Sequence, residues 1–191
     1  EMPKLARMTR FLGLLHSGGS GSLNELLGEE GLTERQHLIV DPRYAETGFR
    51  VSQNYVGETQ HYREKVHYIC PPPAQVSQLM AGLRHMAVET MSLHPVIQAT
   101  LVSFAFVFIH PFEDGNGRLH RFLIHDLLHR RQLVPKGLLL PVSATMSKNL
   151  HDYDKALESF SWPLVKGLAR FEVDENGALS FLNGAELTDY Y

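Results

Sequence analysis

Cysteine is nearly missing from this chain of 191 residues: Cys70 stands alone, so no intrachain disulfide can form. That usage fits a reducing compartment, and a cytoplasmic location is expected. Long basic runs are missing too. The 18 lysines and arginines are outnumbered by 21 acidic residues, for a formal charge of −3. Charge therefore gives no support to nucleic-acid or membrane-surface binding. No apolar run is long enough to span a bilayer, and no signal peptide is evident. Internal repeats are absent. So are Walker and protein-kinase motifs, which argues against an ordinary NTPase or kinase. The chain opens Glu1-Met2 and stops at Tyr190-Tyr191 without a natural boundary at either end, as a segment of a longer protein would.

What is present is enough apolar material for a core, 43% of residues. Leu5, Met8, Leu12 and Leu15 predict an amphipathic helix over residues 4–16. A Ser/Gly stretch of linker composition follows at residues 17–22. Ser22 and Glu25 have capping-box spacing and predict a short helix over 22–30. Residues 49–70 are rich in β-branched and aromatic residues. They predict an irregular β-hairpin turning at Gly57-Glu58-Thr59, which Pro71-Pro72-Pro73 terminates. From residue 74 the pattern is helical, with Val76, Leu79, Met80, Leu83, Met86 and Ala87 on one stripe. Pro95 suits the first turn of the next helix, residues 95–109. That helix is apolar nearly all round and is expected in the middle of a core. Further helices are predicted from about Gly117 to Gln132 and over 145–160. The tail, 169–182, alternates around Asn176-Gly177, a strong hairpin signal. The class is mainly α with two small hairpins.

The informative segment is HPFEDGNGRLHR, residues 110–121. It joins two helices. Gly115 and Gly117 let the backbone approach a ligand and adopt positive φ. The helix that follows offers unpaired N–H groups and a partial positive charge at its start, a natural phosphate site. Arg118 and Arg121, three apart on that first turn, suit an anion of several charges. Asp114 supplies a hard oxygen of the kind that holds Mg²⁺ when substrate phosphates complete the shell. His110 titrates near neutrality and can take a proton from a hydroxyl. Anion cradle, cation holder and base within twelve residues point to phosphoryl or nucleotidyl transfer. The plainer alternative is a glycine-rich turn with a structural histidine and two solvated arginines. The coincidence of all the parts argues against it.

This segment resembles the signature of the Fic family, H-x-F-x-[D/E]-G-N-G-R-x-x-R, at every defined position. Gly48-Phe49-Arg50 resembles the G-[FYW]-R element ahead of that family's hairpin flap. Residues 68–73 resemble the Pro-containing entry to its first core helix, and residues 95–110 the helix leading into its motif. The resemblance covers roughly residues 46–160. It implies a Fic-type helical core with a β-hairpin flap and a small C-terminal hairpin. The expected division is an N-terminal helical extension (1–45), the catalytic core (46–162) and a C-terminal β-hairpin extension (163–191).

By resemblance the activity is protein adenylyl transfer: AMP moves from ATP to a Tyr, Thr or Ser hydroxyl and pyrophosphate leaves. His110 would be the general base and Phe112 the anchor of the loop in the core. Asp114 would hold Mg²⁺ across the α- and β-phosphates. Gly115, Asn116 and Gly117 would form the anion hole, with Asn116 near the α-phosphate. Arg118 and Arg121 would bind the β- and γ-phosphates. The hairpin near residues 50–69 would dock the target protein by strand addition, and Tyr153 is a weaker candidate for the adenosine pocket. The loop reads Gly-Asn-Gly where the family's kinase-like branch carries lysine, which favours AMP transfer. A choline-phosphate-transferring branch keeps other nucleotide-derived donors open. The family's inhibitory [S/T]-x-x-x-E-[G/N] element is not found, since Glu30-Gly31 and Glu175-Asn176 follow Leu26 and Phe171 at the Ser/Thr position. The inhibitory element would then lie in a further segment, in an antitoxin-type partner, or nowhere.

Two other readings stand beside this one. A nucleotide-binding regulatory or interaction module would keep the fold without turnover. The histidines offer a metal alternative: His125 and His129 are four apart, with His120 five earlier, a spacing that can bind zinc. No H-E-x-x-H occurs, and Arg121, Arg130 and Arg131 disfavour a cation there. Core or solvated histidines are the better expectation.

Overall fold

A computed structural model describes residues 21–60, 63–135, 138–174 and 179–182. The helix expected over 4–16 and most of the Ser/Gly stretch lie outside them. The described elements are α1 (Leu23–Leu26), α2 (Glu29–Ile39), a 3₁₀ turn (Pro42–Tyr44), β1 (Tyr55–Gln60), β2 (Arg63–Ile69) and α3 (Pro73–Glu89). They continue with α4 (Pro95–Ile109), α5 (Asn116–Arg130), α6 (Val142–Lys148), α7 (Leu150–Pro163), a π-helical turn (Leu164–Leu168), β3 (Phe171–Val173) and β4 (Leu179–Phe181). The class is mainly α with two antiparallel hairpins, as expected. The described residues form two compact units, one drawn from within 1–50 and 76–141, the other from within 51–75 and 142–191.

The first unit is a helical core. Its interior joins Leu32 and Ile39 of α2, Val76, Met80 and Leu83 of α3, Val102 and Phe106 of α4, and Leu119, Phe122, Leu123 and Leu127 of α5. α1 starts as its sequence requires: Ser22 Oγ accepts the Glu25 N–H at 3.2 Å and the Glu25 carboxylate accepts the Ser22 N–H at 2.6 Å. It is shorter than expected, because Gly28 starts a separate helix. The spacing of Leu32, Gln36 and Ile39 buries one face of that second helix, α2. α4 runs from Pro95 to Ile109 as predicted. It is not buried all round: Ile97 is 51% and Leu101 41% exposed. The reason is packing: α4 turns Ala99, Val102, Phe106 and Val107 inward and leaves its other face to solvent.

In the second unit β1 and β2 pair from Tyr55↔Ile69 to Gln60↔Arg63. The chain therefore does not reverse at Gly57-Glu58-Thr59; those residues lie inside β1. Gly57 instead follows a register irregularity after Val56, as expected of a strand glycine. Gln53 Nε2 donates to the Cys70 carbonyl at 2.7 Å, and the Cys70 N–H donates to Asn54 O at 3.1 Å, closing the hairpin's base. Ser161 of α7 donates to the His67 carbonyl of β2, and Glu158 pairs with the His67 ring at 2.7 Å. The single helix expected over 145–160 is two, α6 and α7, parted at Asn149 (φ −120, ψ 40). β3 and β4 form the expected hairpin, with Phe171 opposite Phe181; Asn176-Gly177 lies outside the described residues.

Candidate functional site

The chemistry-bearing loop connects α4 to α5 within the first unit. It begins at the α4 C-cap, His110, which takes a left-handed conformation (φ 52, ψ 59) while its N–H closes the helix on Phe106 O at 3.0 Å. A positive φ is uncommon outside glycine, and histidine is among the residues that tolerate it. The kink turns the ring back over its own helix, where Nδ1 meets Val107 O at 3.1 Å. A carbonyl only accepts, so the bond requires Nδ1–H and leaves the lone pair on Nε2. Desolvation is the main reason that the His110 pKa falls to about 4; the nearby Arg50 cation lowers it too, against the Val107 bond and Asp114. At neutral pH the ring is therefore an uncharged base.

Arg50 is buried behind this corner. Its N–H donates to Pro111 O at 2.8 Å, and its Nε donates to His110 O at 2.7 Å. A cation on the last carbonyls of α4 complements that helix end. Phe112 is fully buried and meets Phe49 edge to face at 5.6 Å. The Asn116 side chain fastens the loop across its width: Oδ1 accepts the Phe112 N–H at 3.0 Å and Nδ2 donates to Phe112 O at 2.6 Å. Its amide is thus spent on the backbone, and what Asn116 presents at the helix start is its own N–H.

Gly115 is the N-cap of α5 at φ +93, and a Cβ there would stand 2.6 Å from Val40 Cγ2. Only glycine fits. The first bonds of α5 run from Arg118 N–H and Leu119 N–H to Gly115 O at 3.0 and 2.9 Å, so the N–H groups of Asn116 and Gly117 precede the helix ladder. Asp114 sits beside them. Its Oδ1 accepts the Gly115 N–H at 2.6 Å, and Arg118 Nη2 donates to both carboxylate oxygens at 2.9 and 2.7 Å. Arg118 Nη1 also donates to Ile39 O at 3.1 Å. The Asp114 side chain remains 46% exposed, so a cation or a phosphate can still reach this pair. Arg121 reaches back over the first turn, with Nη1 3.5 Å from the position a Cβ on Gly117 would take. The loop, two arginines and a carboxylate therefore meet at one helix N-terminus, next to an uncharged histidine.

Two supports of this loop were not singled out from the sequence. Gln36 of α2 and Glu46, just ahead of Gly48-Phe49-Arg50, bind its backbone at Glu113 and Asp114. Burial raises the Glu46 pKa against the lowering effect of those N–H bonds. The one signal for Gln36 was its place on the Leu32/Ile39 stripe. Glu46 carried none, because its partners are 67 and 68 residues away.

The histidines of α5 take separate places. His120 is buried, with Nδ1 2.7 Å from Ser103 O and its ring edge-on to Phe104. His125 is buried, and His129 Nε2 meets Leu138 O at 3.0 Å. Among the described residues no group of three His, Cys, Asp or Glu is arranged to hold a metal ion, and no helix is long and apolar enough to cross a membrane. Tyr153 and the β1–β2 hairpin belong to the second unit.

Residues 27–128 match the sequence model of the Fic/DOC family. The chain belongs to the Fic/DOC family. The match spans α2 to α5 and so contains the loop and every support described above. Among curated proteins, the chain is 35% identical over 123 residues to "Protein adenylyltransferase Fic" of Drosophila virilis, covering 63% of this chain and 23% of that protein. The same-named protein of Drosophila erecta is 37% identical over 123 residues, with 63% and 22% covered. The chain thus spans less than a quarter of the length of these relatives. Among solved structures, a Fic-domain-containing signaling protein from Bacteroides thetaiotaomicron superposes with a TM-score of 0.56 at 21% identity, over 81% of this chain and 53% of that one. A Fic family protein from Desulfovibrio desulfuricans gives a TM-score of 0.55 at 25% identity, over 81% and 54%. These neighbours share the Fic fold.

Proposed function

We propose that this Fic domain transfers AMP from ATP to a side-chain hydroxyl of a target protein. The observation that carries the reading is His110: its Nδ1–H is tied to Val107 O, which leaves the lone pair on Nε2, and it opens the loop that ends at the Gly115 N-cap of α5. The name of the curated relatives, protein adenylyltransferase, supports the same class of reaction.

In this reading the triphosphate lies against the N–H groups of Asn116 and Gly117, with Arg118 and Arg121 as its counter-charges. Nε2 of His110 takes the hydroxyl proton as the target oxygen bonds to the α-phosphorus. The bond from that phosphorus to the bridging oxygen breaks, and pyrophosphate leaves with the electron pair. Asp114 fits as a Mg²⁺ ligand because it is a half-exposed hard oxygen donor next to the start of α5. Bound there, Mg²⁺ would neutralise phosphate charge. The β1–β2 hairpin, a two-stranded antiparallel sheet, offers strand addition as the docking mode for the target.

Intact-mass measurement tests the reading. The protein is incubated with ATP and Mg²⁺, alone and with lysate, beside His110→Ala and Arg118→Ala. A gain of one AMP on the protein or on a lysate protein is expected. His110→Ala should lose roughly 10²–10⁴-fold in rate and keep nucleotide binding. Arg118→Ala should weaken ATP binding itself. If His110→Ala lost binding and Arg118→Ala kept it, the assignment of roles would fail.

A further inference from the structure

Two consecutive amides of the loop, those of Glu113 and Asp114, converge on one carboxylate. Glu46 Oε1 lies 3.0 Å from Glu113 N and 3.1 Å from Asp114 N, and Oε2 lies 2.9 Å from Glu113 N. The carboxylate is itself held. Gln36 Nε2 donates to Glu46 Oε1 at 2.9 Å, and the Glu46 N–H returns a bond to Gln36 Oε1 at 3.1 Å. The His37 ring meets Glu46 O at 2.5 Å. Gln36, wholly buried, also reaches Asp114 O at 3.3 Å and Tyr44 O at 3.2 Å.

A pair of successive N–H groups is an anion-binding concavity. In this loop it is filled from inside the protein by Glu46, and the N–H groups at the start of α5 are left for a ligand. The buried half of the loop has its own fastening, Phe112 with Asn116. The Gln36–Glu46 pair holds the other half, the solvent-facing peptides on either side of Asp114. Asp114 cannot rotate its backbone without breaking bonds to both residues. Those bonds decide where its carboxylate stands relative to Arg118 and the Gly115 N–H.

We propose that Glu46 and Gln36 are positioning residues of the nucleotide site, which set the Asp114 carboxylate and the loop backbone for the metal-bound triphosphate. This rests on the function proposed above.

The test uses Glu46→Ala, Glu46→Gln and Gln36→Leu with three readouts. The first is the amide proton shifts of Glu113 and Asp114 in the unliganded protein, which require no nucleotide. Both are expected downfield in the wild type and upfield in Glu46→Ala. The second is the calorimetric Kd for ATP with and without Mg²⁺. Loss of the clamp should raise the Kd with Mg²⁺ by roughly 10–100-fold, the worth of a charge-assisted hydrogen bond, and change the Mg²⁺-free Kd little. Glu46→Gln retains one acceptor oxygen and should restore part of the affinity. It also serves if the alanine variant does not fold. The third is thermal stability. Variants that melt earlier but bind ATP and Mg²⁺ with wild-type Kd in their folded fraction would reduce Glu46 to a structural residue and overturn the proposal. If the wild type binds no ATP, the proposed function falls and this role with it; the expected upfield shifts in Glu46→Ala would then show that the fault lies in that reading and not in the clamp's geometry, and unchanged shifts would overturn the clamp itself.

Discussion

At its N-terminal end α5 starts on Gly115 at φ +93, with no side-chain cap and with Arg118 and Arg121 near the positive end of the helix dipole. At its C-terminal end the same helix stops on Gln132 at φ +56. There the Gln132 N–H binds His129 O and the Leu133 N–H binds Leu128 O, both at 3.0 Å, which is the full Schellman pattern. His129 and Arg130 also suit the negative end of the dipole. One end satisfies its backbone and its electrostatics from within. The other starts without a side-chain cap and carries two arginines at the positive end of its dipole, with Asp114 paired to Arg118 as counter-charge. A helix start arranged in this way costs stability in the free protein and gains it back when an anion binds.

The widest separation between the two ends should come from the loop glycines. Gly115→Ala must place a Cβ at positive φ and against Val40. It should destabilise the first unit by about 2–4 kcal/mol and abolish ATP binding, as read by urea melting and calorimetry. Gly117 lies in the first turn, and among the described residues only Arg121 comes near its missing Cβ. Gly117→Ala should raise stability by about 1 kcal/mol and still weaken ATP binding, because the backbone approach is lost. Equal melting shifts for the two variants would mean that neither glycine is there for the reason given.

The pH dependence should be next in size. With a His110 pKa of about 4, transfer should hold through neutral pH and fall on an acidic limb well below 6.5. A limb near 6.5 would show a solvated ring. Stability has the same sign. His110 and His120 are both depressed to about 4 in the fold, chiefly by burial, so the unfolded chain binds more protons between 6.5 and 4. Stability is then fully present above about pH 6.5 and is lost as pH falls towards 4. His120→Asn would remove part of that loss without touching the loop.

The smallest effect belongs to the satisfied end. Gln132→Gly relieves the cost of a side chain at positive φ, offset in part by a freer unfolded chain, and should stabilise by about 0.5–1 kcal/mol. Transfer should be unchanged. A change in activity would link the far end of α5 to the site.

Local signals made the ends of several elements legible. Ser22 with Glu25, Pro95 and Gly115 act through bonds or sterics within a few residues, and each appears in the structure where the sequence places it; Gly117 does not take the positive φ expected of it, because it already lies in the first turn of α5. The misplaced features depended on partners. The β1–β2 hairpin does not turn at Gly57 because pairing with β2 carries the strand past it. α6 and α7 are parted at Asn149, which carries no proline or glycine signal. α4 looks buried on every side in one dimension and has an open face in three.

The same division holds for the site. The chemistry available was legible in twelve residues: His110, Asp114, Arg118, Arg121 and two glycines, at a junction that its neighbours force to be helix, turn, helix. Residue type and short-range geometry suffice for that. How these groups are held and charged depends on the folded core. The tautomer of His110 is set locally by Val107 O, three residues back on α4, but the burial that lowers its pKa comes from the packed fold. Arg50 closes α4 from 60 residues upstream. Gln36 and Glu46 hold the backbone of Asp114 from 78 and 68 residues away. Hydrogen bonds of that sequence separation leave no periodicity to read, because they exist only once the core has brought distant segments together.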